Sequence, residues 1–151
     1  MHDEILKANW TNLDTQANTF ASQQSNKKSA KILVIDAYAV KMTAKFHELE
    51  NDFLCSIGYK AASAPAIENL LSKRAAELSA PDLLAEACKV ADQALSENYP
   101  RLVAMSEQAN DSQVAKLRYA ELMFAKLQEI DTTFFEHMNF QKKSILQHTQ
   151  K

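Results

Sequence analysis

Lys31-Ile-Leu-Val-Ile-Asp36-Ala-Tyr-Ala-Val40 is the stretch on which the fold class turns. Taken alone, a short apolar run rich in β-branched residues suits a buried strand as well as a buried helix. The residues on its C-terminal side favour the helix. Ile32, Ile35, Ala39, Met42, Phe46, Leu49 and Phe53 recur every three or four positions, with Ile57 one step beyond. Gly58 then stands where a helix commonly ends in a left-handed residue. The pattern predicts a helix over residues 29–57, capped by Ser29 and about 45 Å long at ~1.5 Å per residue.

The rest of the chain extends the same reading. Before this element, Leu6, Trp10, Leu13, Ala17 and Phe20 form a seam that predicts a first helix near 3–25. After it, Ser63-Ala-Pro65 and Ser79-Ala-Pro81 each offer a serine cap with proline in the first turn. They predict helices over 64–78 and 81–108, the second kinked at Pro100, where a backbone donor is missing. Asn110-Asp-Ser112 is a capping cluster for a last helix over 111–148, with Leu127, Ile130, Phe134, Met138 and Ile145 on one stripe.

Composition agrees with an all-α antiparallel bundle of four to five helices in a single domain over 1–151. There is one glycine in 151 residues, where average usage of roughly 7% would give about ten. Hairpins need glycine for positive φ, so a sheet of tight turns is poorly served.

Net charge is −2, which supplies no strong field for nucleic acid or an anionic membrane. No apolar run approaches the ~20 residues of a membrane span, and the amino terminus lacks a secretory pattern, so a cytoplasmic protein is expected. Cys55 and Cys88 lack metal or redox spacing and read as buried thiols.

Candidate chemistry is sparse. His2, His47, His137 and His148 show no metal-ligand spacing, and the Glu-x-x-His string of di-iron bundles is missing. One glycine builds neither a nucleophile elbow nor a phosphate loop. The expectation is no catalytic residue, no cofactor and no metal. If an unrecognised enzyme site exists, Asp36 and His47 are its candidates. Asp36 itself reads as an acid on the outer helical face near Lys31 or Lys41.

Phe135 and Phe140 lie roughly 100° and 120° from the stripe through Phe134, on opposite sides of a regular helix. They broaden its apolar surface, either for several neighbouring helices or for a partner. They are the candidate partner surface.

Two family resemblances bear on function. Lys31-Ile-Leu-Val-Ile-Asp36, Gly58-Tyr-Lys-Ala-Ala62 and Pro81-Asp-Leu-Leu84 resemble the first three strands of a response-regulator receiver domain, which would imply a parallel sheet and a signalling role. The phospho-acceptor aspartate expected after the third strand and the late Lys-Pro pair are both missing. Residues 64–109, two alanine-rich amphipathic helices meeting at Ser79-Ala-Pro81-Asp82, resemble phasins, the coat proteins of polyhydroxyalkanoate granules. That resemblance covers less than a third of the chain. It implies an oligomeric, non-enzymatic bundle whose apolar face opens onto a hydrophobic particle.

The expected function is therefore binding, by a homo-oligomer or to a protein partner, with a granule-like hydrophobic surface as its sharpest form. No nucleic acid and no transmembrane segment are expected.

Overall fold

A computed structural model of the chain describes residues 2–49, 59–60, 64–132, 134 and 141–142. Five α-helices account for most of them: α1 His2–Ser22, α2 Lys27–Leu49, α3 Ala64–Glu77, α4 Leu84–Glu107 and α5 Ser112–Ile130. A 3-10 turn, Pro81–Leu83, leads into α4. The fold is an all-α bundle around one core.

Helix α2 is central and packs on α1, α3, α4 and α5. Every residue from Leu33 to Ala39 is buried, so the stretch that could have been a strand is a helix covered on all sides. Residues 101–105 are likewise helical, in α4, which removes the parallel sheet of a receiver-like fold. Tyr59–Lys60, β1, does lie extended, but it pairs antiparallel with Gln141–Lys142, β2, with Tyr59 opposite Lys142.

That pairing also corrects the expected helix over 111–148. Helix α5 ends at Ile130, where the Asp131 amide reaches the Leu127 carbonyl only at 3.4 Å. The Asp131 carboxylate instead accepts the amide of Phe134 at 3.3 Å, starting a new turn. Of the expected stripe, Leu127 and Phe134 are buried, whereas Ile130 is exposed. Phe135, Phe140, Met138 and Ile145 lie outside the described residues, as does the expected end of α2 at residues 50–58.

Two caps also differ from expectation. The first turn of α2 is closed by Asn26, whose Oδ1 accepts the Ser29 amide at 3.2 Å. This frees the Ser29 hydroxyl to donate to the Leu78 carbonyl at 2.9 Å, tying the start of α2 to the end of α3. Ser79 is not a cap for the next helix. With φ 58 it ends α3, the Ala80 amide reaching back to the Ala75 carbonyl and the Ser79 amide to that of Ala76.

Helix α4 runs from Leu84 to Glu107 through Pro100 without interruption. Its first turn is the separate 3-10 segment at Pro81, so the expected single helix from 81 is two elements. Asp111 caps α5 as the sequence pattern suggests, accepting the Val114 amide at 3.2 Å.

Candidate functional site

Asp36 is absent from the outer face expected of it and is fully buried on α2. The lysines expected beside it are paired elsewhere, Lys31 with Asp14 at 2.9 Å and Lys41 with Asp92 at 3.7 Å. Neither carboxyl oxygen of Asp36 meets an N–H or O–H donor. The group beside it is the carboxyl of Asp131.

Two facing carboxyls can bond only if one keeps its proton. Burial raises the pKa of Asp36 well above the usual carboxylate value, and contact with Asp131 raises it further, while Arg74 opposes both. Asp36 is thus the member of the pair that favours the uncharged, protonated form. Asp131 in turn is gripped by the Arg74 guanidinium, Nε to Oδ2 and Nη2 to Oδ1, each at 2.9 Å. Glu77 adds a looser contact to Arg74 at 3.4 Å. The arrangement joins α2, α3 and the residue that terminates α5.

A second polar cluster crosses the bundle between α1 and α4. Asn9 and Asn98 are both buried in apolar seams. The Asn9 amide nitrogen donates to the Asn98 carbonyl at 3.1 Å and to the Tyr119 hydroxyl at 2.9 Å. The Asn98 amide nitrogen donates to the Asn9 carbonyl at 2.9 Å and to the Tyr38 hydroxyl at 3.1 Å. At the rim, Asn12 donates to Asn98 Oδ1 at 2.9 Å, and Asn12 and Gln16 both donate to Glu97 Oε1.

These bonds act on the protonation of their members. Desolvation pushes the Tyr38 phenol up to about 12 and that of Tyr119 well above its ordinary value. Amide donors from Gln93, Asn12 and Gln16 hold Glu97 below the usual carboxylate range. The space beside the two phenols, bounded also by Met42, Leu95 and Leu102, is about 10 Å³, room for about one water at most. A substrate does not fit there.

An open groove of about 450 Å³ lies between α2 and α4, lined by Lys41, Lys45, Asp92, Tyr99 and Pro100. Its cations are engaged. Lys41 meets Asp92, and the Lys45 ammonium sits 4.9 Å from the centre of the Tyr99 ring.

Among the residues singled out from sequence, Asp36 is brought into a cluster, with partners that pattern alone does not name. Arg74 and Asp131 are 57 positions apart and nothing local marks them. Asn9 and Asn98 carry a signal, since each interrupts an apolar stripe: Leu6, Asn9, Leu13 on α1 and Ala94, Asn98, Leu102 on α4. On α1 the apolar spacing gives Trp10 the seam position that Asn9 occupies. Trp10 packs at the edge, with the Lys126 ammonium 5.6 Å from its ring centre.

Cys88 is half-buried and free, its thiol pKa raised first by burial. Cys55, His137, His148, Phe135 and Phe140 lie outside the described residues, as do the side chains of His2 and His47. Among the described residues no group of three or more His, Cys, Asp or Glu side chains is placed to hold a metal ion, and no helix is long and apolar enough to cross a membrane. No family model, curated protein or solved structure matches the chain.

Proposed function

We propose that the chain is a non-enzymatic helical bundle that acts by binding a second copy of itself or a protein partner, with Phe135 and Phe140 as the first residues of the contact surface. The observation that carries this reading is how the shifted groups are used. Tyr38, Arg74 and Tyr119 are hydrogen-bonded to other parts of the bundle, Asp36 is enclosed beside Asp131, and the phenols adjoin a space of only about 10 Å³. Such groups rigidify a scaffold and leave nothing for a substrate to approach.

A coat on a hydrophobic particle, the form the phasin resemblance implies, draws less support from the described helices. Val114 and Ile130 are the large apolar side chains they leave exposed. A contact built around the aromatic segment after Asp131 suits a folded protein partner better.

The test is the mass of the purified 17.0 kDa chain by light scattering, together with affinity purification from its native host. A multiple of that mass, or a reproducible partner, is expected, and Phe135→Ser with Phe140→Ser should abolish either. A stable monomer that captures nothing overturns the reading.

A further inference from the structure

A second groove, of about 420 Å³, lies where α1 turns into α2 and the end of α5 comes alongside. This is within the range of roughly 300–1,000 Å³ common to small-molecule sites. Lys27, Lys28 and Lys31 stand on one side, and Ala21, Ile32 and Ile130 provide apolar lining.

The charge there is unbalanced. Asp14 neutralises Lys31 at 2.9 Å, and neither Lys27 nor Lys28 forms an ion pair with a described residue. Both lie in the first turn of α2, which contains no acid. A helix already presents its positive end there, so two ammoniums repel the amide dipoles rather than complementing them. In a chain of net charge −2, this is a local excess of positive charge that an anion would relieve.

The lining adds a second constraint. Ile130 is 37% exposed, one of two large apolar side chains so placed among the described residues, and it borders this groove. Inorganic anions would leave that surface wet. A ligand with an alkyl portion would cover it.

We propose that this groove binds a small amphipathic carboxylate, an alkyl carboxylate of medium chain length. Its head group lies between Lys27 and Lys28 and its chain lies over Ala21, Ile32 and Ile130. The site does not depend on the partner reading, because it lies on helices that need no second chain to form it.

The experiment is calorimetric titration of the full chain with decanoate below its micelle concentration. Parallel titrations use acetate, decyltrimethylammonium and vesicles of anionic phospholipid. Saturable one-to-one decanoate binding is expected, with acetate and the cationic amphiphile at least about tenfold weaker. Lys27→Gln with Lys28→Gln changes only exposed side chains and should weaken decanoate about tenfold, as should Ile130→Asn through the tail. Equal binding of both amphiphiles, decanoate binding unchanged in the lysine variant, no decanoate binding, or binding confined to vesicles would each overturn the proposal.

Discussion

Asn9 and Asn98 hold each other's backbone: the side-chain amide of each donates to the main-chain carbonyl of the other, at 3.1 and 2.9 Å, across the α1–α4 interface. Both are buried, so truncating Asn9 takes a donor from the Asn98 carbonyl and the Tyr119 hydroxyl, and truncating Asn98 takes one from the Asn9 carbonyl and the Tyr38 hydroxyl. Asn9→Ala and Asn98→Ala should each cost about 3 kcal/mol, reflecting the two buried hydrogen bonds that each amide donates. The double variant should cost less than their sum by about 1 kcal/mol or more, measured by urea unfolding. Strict additivity would show that the clasp is not a coupled unit.

The buried acid makes stability depend on pH in a defined direction. Asp36 has its folded pKa raised above the ordinary value of 3.8. The stability it contributes is therefore fully present below pH 3.8 and is lost as pH rises toward the folded value. Across that window its share of the slope approaches about −1.4 kcal/mol per pH unit. Asp36→Asn keeps a donor toward Asp131 and removes the titrating proton, so the variant should be more stable than the parent at neutral pH. Denaturant titrations at several pH values would show the two curves converging in acid. Parallel curves would contradict a protonated Asp36.

Arg74 is matched to Asp131 by shape as well as charge, two nitrogens of one planar fork meeting two oxygens. Lysine at this position keeps the charge and loses the second bond, and should cost about 1–2 kcal/mol. Arg74→Met leaves the Asp131 carboxylate, 4% exposed, without its cation and should cost about 3 kcal/mol or more. Thermal melts rank the two; an equal loss would mean that only the charge matters.

Ser79 occupies the left-handed region, φ 58, where a β-carbon is strained by roughly 1–2 kcal/mol. Ser79→Gly should therefore raise stability by up to about 1 kcal/mol, and Ser79→Val should lower it. No gain in melting temperature for the glycine variant would argue against the left-handed turn that closes α3.

The helices are legible wherever the apolar positions repeat on one side of the coil. Leu6, Leu13, Ala17 and Phe20 on α1, and Leu127 and Phe134 near the end of the chain, are buried as their spacing predicts. Capping is less legible, because Ser29 and Ser79 are good capping residues by type. Asn26 lies three residues before the Ser29 amide and reaches it, while Ser79 is drawn into a helix C-terminus by the bonds from Ala80 and Ser79 to Ala75 and Ala76.

The sequence neighbours of Asp36, Lys31 and Lys41, would be its partners if α2 were a helix at the periphery. Instead α2 lies at the centre, and Asp36 is on the part of it that is buried all round. The carboxyl that neighbours it is 95 positions away, and the arginine that anchors that residue is on a third element.

Local repetition of apolar side chains, with a single glycine available for turns, was enough to settle that this chain coils into packed helices. That information is local because a helix closes its hydrogen bonds within four residues. Which helix became central, where α5 stops, and which buried polar groups meet were decided only by tertiary packing. A buried carboxyl or amide is stable only against partners that the folded chain brings beside it from distant positions.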